Sequence, residues 1–254
     1  MKKHISKLTP RFIFPIVRKL YYSFLKIRFR GHNVYCPVCE VGYKKFLPGG
    51  ENNRANVKCP GCGTLERHRL LWLFLTQKIK IAEREILLLD IAPDQTLQKK
   101  FNVFKNINYV SIDIDSVFAM RKMDLTNLSF DDNSFDAVLC YHVLEHIEDD
   151  KKALKEIYRV MKNGAWAILQ SPVDLNKEYT YEDSNIKSEE DRLKIFGQKD
   201  HVRIYGKDYV DRLRNPGFKV EEINYVKSFA PEEIKKYGLD ENEIIYFCKR
   251  LYKK

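Results

Sequence analysis

Residues 85–115 read EILLLDIAPDQTLQKKFNVFKNINYVSIDID. Two apolar runs, Ile86–Ile91 and Tyr109–Ile112, carry carboxylates at their ends, Asp90 and Asp113. A short apolar run bounded by turn signals reads as a strand buried on both faces. The segment between the runs has room for one helix. The stretch therefore predicts a strand–helix–strand crossover, and with it a parallel sheet. Ligands of open parallel sheets bind outside the carboxyl ends of the strands. Asp90 and Asp113 fall at those ends, and an acid closing the second strand suits paired hydrogen bonds to ribose hydroxyls. The stretch points to a nucleoside-containing cofactor.

The pattern continues downstream. Phe135–Cys140 is a third buried-strand run, and Asp124 ends a short segment before it that reads as a further edge strand. From Asp149 to Lys162 the apolar residues Ala153, Leu154, Ile157, Val160 and Met161 recur at helical spacing, and Asn163-Gly164 reads as a left-handed cap that ends the helix. Ala165–Gln170 is another strand, stopped by Ser171-Pro172. Residues 174–200 are polar without a period, which predicts a long loop serving as lid or binding element. A helix over Gly206–Leu213 and a final strand pair, Phe218–Val226 and Ile244–Lys249, complete an α/β doubly wound domain over residues 85–254.

Upstream, Cys36-Pro-Val-Cys39 and Cys59-Pro-Gly-Cys62 are two CxxC pairs separated by nineteen residues. This spacing predicts a four-cysteine zinc site, a zinc ribbon, with each pair a tight knuckle presenting two thiolates. With all four positions filled by protein, the zinc is structural. Cys140 and Cys248 fall in apolar strands and read as packing residues. Residues 65–84 read as a connecting helix, so residues 36–84 form one segment. Arg67, His68 and Arg69 at its start are expected to be solvated or to cap it.

The chain has 254 residues and a formal charge of +10, unevenly placed. Residues 1–39 hold nine Lys or Arg and no Asp or Glu; the rest holds 36 bases and 35 acids. The basicity thus belongs to an N-terminal arm, residues 1–35, and argues against nucleic acid as the partner of the main domain. In the arm, Ile16, Leu20, Phe24 and Ile27 recur at helical spacing, with Arg18, Lys19, Lys26 and Arg28 on other faces. Such a basic amphipathic helix either packs its stripe as core or lies on an anionic membrane surface through residues 1–30. Phe12–Val17, interrupted by Pro15, is too short for a secretory signal or a span. Reduced cysteines and zinc imply the cytoplasm, with membrane association left open.

The order LLLDIAPD, YVSIDID, MDLTNLSFDDNSFDAVLCYHVLEHI and KKALKEIYRVMKNGAWAIL resembles class I S-adenosylmethionine-dependent methyltransferases of the type 11 group. The ribbon, with CPGCGTLERHRLLW and GQKDHVRIYG, is similar to a bacterial subset of that group. The resemblance implies a Rossmann-like seven-stranded sheet with the last strand antiparallel, and S-adenosyl-L-methionine as cofactor. By carry-over, Asp90 and Ala92 lie at the methionine part, Asp113 at the ribose, and Asp124 and Leu125 at the adenine edge, with Asp94 and Ile114 also counted among the cofactor-binding residues. Tyr141 and His142 line the floor beneath the sulfonium. The loop Ile91-Ala92-Pro93-Asp94 departs from the family's glycine-rich version, although the helix after it can still offer backbone N–H groups to the cofactor carboxylate.

A hydroxyl acceptor needs its proton removed near neutral pH, which histidine does well. His142 and His146, four residues apart, and His201 are the candidates. A metal site built from these histidines is not expected, because the spacing supplies no clear third ligand. The leading reading is a methyltransferase acting on a small-molecule, saccharide or lipid-linked acceptor. The alternatives are a zinc-ribbon RNA methyltransferase, with Lys44, Lys45, Arg54 and Lys58 touching phosphates, and a non-catalytic binding module with a degenerate cofactor loop.

Overall fold

A computed structural model of the chain describes residues 14–50 and 53–252; residues 1–13 of the expected arm lie outside the described residues. The chain divides into two compact units. One comprises the described residues up to Ile81 together with Asn224–Glu243; the other comprises Ala82–Ile223 and the described residues from Ile244 on.

The first unit begins with helix α1 (Phe14–Arg28), followed by two small antiparallel hairpins. Strand β1 (Arg30–Cys36) pairs with β2 (Val41–Tyr43), and β3 (Leu47–Gly49) pairs with β4 (Arg54–Lys58). The stripe of α1 does not pack as core. Leu20, Phe24 and Ile27 are 65%, 64% and 79% exposed, and the buried face carries Tyr22 and Leu25. The reason is local: the Tyr22 ring covers Gly63, where a Cβ would come within 2.2 Å of its hydroxyl, and Gly63 has φ +79°. Helix α2 (Glu66–Leu73) runs on into a π turn, Phe74–Lys78, and buries Leu70, Leu71, Trp72 and Phe74. No described helix is long and apolar enough to cross a membrane.

The second unit is built on a seven-stranded sheet. Its strands are β5 (Ile86–Ile91), β6 (Ile107–Asp113), β7 (Arg121–Lys122), β8 (Phe135–Tyr141), β9 (Met161–Gln170), β12 (Phe218–Ile223) and β13 (Ile245–Arg250). The order is β12-β13-β9-β8-β5-β6-β7, with β13 antiparallel to both neighbours and β5 through β9 parallel. The crossover after β5 is helix α3 (Gln95–Phe101) and that after β8 is α4 (Asp150–Val160). The Asp149 carboxylate caps α4 by accepting the Lys152 N–H at 2.9 Å, and Ala153, Leu154, Ile157 and Val160 turn one face into the core. There they meet Leu89, Val138 and Leu169 of the sheet.

Several expectations change. Helix α4 stops at Val160 with Met161 already extended; Gly164 does take a left-handed φ of +81°, but within β9, whose pairing with β8 begins at Met161. Residues 174–200 are not a bare loop. They contain β10 (Tyr181–Glu182), paired with β11 (Arg203–Ile204), and helix α5 (Glu189–Phe196), capped by Ser188 and ended by Gly197. Helix α6 spans Tyr209–Arg214, and β12 ends at Ile223.

The last two sheet strands are also not joined by a simple hairpin. Asn224–Glu243, carrying helix α7 (Pro231–Tyr237), groups with the first unit and not with the 85–254 segment. Arg69 explains this, and it is neither solvated nor a cap. It is fully buried. Its Nε donates to Tyr237 O at 2.6 Å, Nη2 to Gly238 O at 2.7 Å, and Nη1 to Val57 O at 2.9 Å, while the guanidinium stacks 3.8 Å from the Phe46 ring centroid. A buried guanidinium is tolerated only with its donors met. Here the end of α7 supplies two of the carbonyls.

Candidate functional site

The register of the parallel strands sets the site. Ile91 pairs with Ile112 on one side and Cys140 on the other, so Ala92, Asp113 and Tyr141 line up at one edge of the sheet. The strand order reverses between β5 and β8, and this switch point is where open α/β sheets hold ligands.

Asp90 is buried, and Tyr109 donates its hydroxyl hydrogen to Asp90 Oδ2 at 2.7 Å. Burial pushes the carboxyl up to about 7, with the Tyr109 hydrogen bond working against the shift. Tyr109, which the sequence reading passed over, is itself fixed by stacking on Phe101 at 5.7 Å. Ala92 has φ +54°, a left-handed conformation that glycine adopts freely and alanine rarely does. The loop thus keeps the backbone shape of a glycine version, held by the Ala92 N–H on Ile112 O at 2.8 Å.

Asp94 serves helix α3 itself: its Oδ1 accepts the N–H groups of Thr96 and Leu97 at 2.8 and 3.2 Å. Asp94 thus takes up two of the N–H groups at the start of this helix, and the Gln95 N–H is not among them. Asp113 uses Oδ1 to accept from Asp115 and Ser116 at 2.7 and 2.8 Å, which shapes the loop after β6; Oδ2 takes no part in these bonds. That loop exposes Ile114, Val117 and Phe118 beside Asp113. Asp124 is exposed, its carboxylate engaged by Thr126, and the Leu125 side chain is buried in the core.

At the end of β8 the chain turns sharply. His142 has φ +57°, and its N–H donates to Gln170 O at 2.7 Å. A 3-10 turn over Leu144–His146 follows. His142 Nδ1 lies 3.3 Å from Glu145 Oε1, and Ser171 Oγ donates to Glu145 Oε2 at 2.8 Å. Burial opposes ionisation of Glu145, but His142 and His146 outweigh it and hold the carboxyl below its ordinary range. His201 joins from the far side of the polar segment, its ring 4.7 Å from that of His146, and burial lowers its pKa. Glu145, His146 and His201 come together with ligand atoms within 4.8 Å of one another. The sequence spacing offered no clear third ligand near the histidines; the fold brings the Glu145 carboxylate beside His146 and His201. Cys140 is fully buried and its thiol pushed well up, so it is no nucleophile.

Arg203 locks this arrangement. It is 3% exposed and donates to the carbonyls of Leu144 and Glu148 at 2.8 Å each, and to Glu182 at 2.8 Å. A cavity of about 230 Å³, lined by Glu148, Asp149, Glu182 and Arg203 among others, lies beside the clamp and includes none of the predicted cofactor residues.

In the first unit, the Cys36 and Cys62 sulfurs are 3.7 Å apart, as are those of Cys39 and Cys59. Four thiolates about 2.3 Å from a tetrahedral zinc ion would stand about 3.8 Å apart, so the set fits that ion. Each knuckle closes alike: Glu40 N–H donates to Cys36 O at 2.8 Å and Gly63 N–H to Cys59 O at 3.0 Å, both donors at positive φ.

A sheet of this order, with an antiparallel β13 and a carboxylate-lined switch point, defines a Rossmann-like methyltransferase fold. A family model described as a methyltransferase domain matches residues 59–169 of this chain. An uncharacterized protein of Methanocaldococcus jannaschii is 35% identical over 136 residues, 50% of this chain and 52% of that protein. A demethylmenaquinone methyltransferase of Bacteroides fragilis is 31% identical over 119 residues, 47% of this chain and 40% of that one. The chain thus spans about half the length, or less, of these curated relatives. Among solved structures, an S-adenosylmethionine-dependent methyltransferase from Mesorhizobium loti shares the fold, with a TM-score of 0.50 at 10% identity, covering 71% of this chain and 100% of that one.

Proposed function

We propose that the chain is an S-adenosylmethionine-dependent methyltransferase whose acceptor is a small molecule presented at an anionic lipid surface, a lipid-linked intermediate being the class that suits both parts of the chain. The observation that carries the cofactor assignment is the alignment of Asp90, Ala92 and Asp113 along one sheet edge in the segment that this family model matches. Asp90 and the backbone at Ala92 would hold the methionine part, Asp113 Oδ2 a ribose hydroxyl, and the exposed Ile114, Val117 and Phe118 the adenine. The left-handed φ of Ala92 speaks against a degenerate loop and hence against the binding-module reading.

When bound, the cofactor supplies an electrophilic methyl group, and the protein's task is to orient the acceptor and remove its proton. His142 is the base we assign. It closes β8 at the cofactor edge, and Glu145 behind its Nδ1 orients the ring. The B. fragilis relative, named for demethylmenaquinone, supports a small-molecule acceptor.

The lipid surface is inferred from α1, whose exposed Leu20, Phe24 and Ile27 stand in a segment with nine basic residues and no acidic ones. The RNA reading loses two of its four candidate contacts, because Arg54 pairs with Glu66 and Lys58 sits 5.3 Å above the Tyr22 ring. The four cysteines would hold one structural zinc ion, lost on Cys36→Ser. Calorimetric titration with S-adenosylmethionine tests the central claim. Micromolar binding abolished by Asp113→Ala supports it; no binding to a folded, zinc-loaded chain overturns it.

A further inference from the structure

We infer that Glu145, His146 and His201 form a binding site for a divalent transition-metal cation, distinct from the four-cysteine cluster. Two imidazoles and one carboxylate, with ligand atoms within 4.8 Å of one another, are the donor set of open, exchangeable cation sites. The cysteine set is all thiolate and closed.

Burial argues that the cluster is built for an occupant. Glu145 is 2% exposed and His201 6%. His201 Nε2 is buried without a hydrogen-bond partner, and buried Glu145 Oε1 has only the ion-pair contact with His142 Nδ1 at 3.3 Å. Buried polar atoms are almost always satisfied, and an unmet one is costly. A cation between them satisfies both at once.

The surroundings also suit a metal. The other Glu145 oxygen is fixed by Ser171 Oγ at 2.8 Å. His146 Nδ1 lies 3.2 Å from Asp200 O, so with its hydrogen on Nδ1 this ring presents Nε2 as the ligand atom. Metal-bound histidines are commonly oriented in this way, by donating the second ring N–H to a backbone carbonyl. The backbone is held in advance: Val202 N–H donates to Glu145 O at 3.0 Å, and Arg203 clamps Leu144 and Glu148 on either side. His142 Nδ1 faces Glu145 Oε1 at 3.3 Å and would share that oxygen with the cation.

The site would bind the oxygen of the methyl acceptor and favour its ionised form, with His142 taking the proton. That role rests on the methyltransferase reading; the binding of the cation does not.

The test is titration of the full zinc-loaded chain with Co²⁺, followed by visible absorption. One Co²⁺ per chain is expected, with the spectrum of nitrogen and oxygen ligands and no thiolate charge-transfer band, while the zinc stays in place. His201→Ala and the half-buried His146→Ala should each weaken cobalt binding at least tenfold, with circular dichroism and zinc content unchanged. Absence of cobalt binding to the wild-type chain, or binding of undiminished affinity in both variants, overturns the proposal. A parallel titration with S-adenosylmethionine separates the failures. Cofactor binding without cobalt sinks only this site, and cobalt binding without cofactor sinks only the methyltransferase reading.

Discussion

Arg203 donates to the backbone carbonyl of Leu144 at 2.8 Å, across 59 residues of chain. The same guanidinium reaches Glu148 O and Glu182 Oε2, so one side chain fixes the turn that carries Glu145 and His146. Arg203→Ala would leave these acceptors buried without a donor and should cost about 3 kcal/mol of stability. Arg203→Lys keeps the charge but loses the planar fork, so it should recover only part of that loss. Urea denaturation of the three proteins checks the order.

Asp90 provides a pH signature. Its folded pKa of about 7 lies above its ordinary value of 3.8, so the folded state holds the extra proton between those limits. Stability from this group is therefore lost as pH rises through that window and is level above it. Relative to Asp90→Asn, the wild-type chain should be about 2 kcal/mol more stable at pH 5 than at pH 7.5. Equal pH profiles for the two proteins would show that Asp90 ionises normally.

Ala92 sits at φ +54°, which costs an alanine about 1 kcal/mol or more. Ala92→Gly should relieve that strain and bind S-adenosylmethionine at least as well. Ala92→Val, β-branched at a positive φ, should be destabilised by at least about 2 kcal/mol and bind the cofactor more weakly. The loop reading fails if valine is tolerated with unchanged affinity.

The exposed face of α1 predicts lipid binding. Co-sedimentation with phosphatidylserine-containing vesicles should be strong, weakened by salt, and reduced at least tenfold by the pair Leu20→Glu and Phe24→Glu. Retention by neutral phosphatidylcholine vesicles alone would remove the electrostatic half of the argument.

The central sheet was legible because parallel strands buried on both faces leave unbroken apolar runs, as in ILLLDI and FDAVLC, and the paired CxxC motifs are as plain. What was hidden depends on partners far along the chain. Arg69 looks like a surface residue until Tyr237 and Gly238 supply its carbonyls. Helix α7 buries none of its residues fully, so it has no apolar period to reveal its allegiance. The arm helix misleads for the opposite reason: its regular stripe faces outward, and two less regular residues, Tyr22 and Leu25, do the packing. At the candidate site, the histidines are visible in the sequence, but their meeting with Glu145 depends on β11 returning to the turn after β8.

The Arg69 contacts also impose a timetable on the nascent chain. Two of the carbonyls that satisfy this guanidinium lie 168 and 169 residues further along. The cysteine knuckles emerge early and can capture metal, yet the unit around them stays unfinished until translation has passed through most of the sheet. During that interval Arg69 must remain hydrated, which keeps its surroundings open. The closing of this unit thus waits for residues 237 and 238.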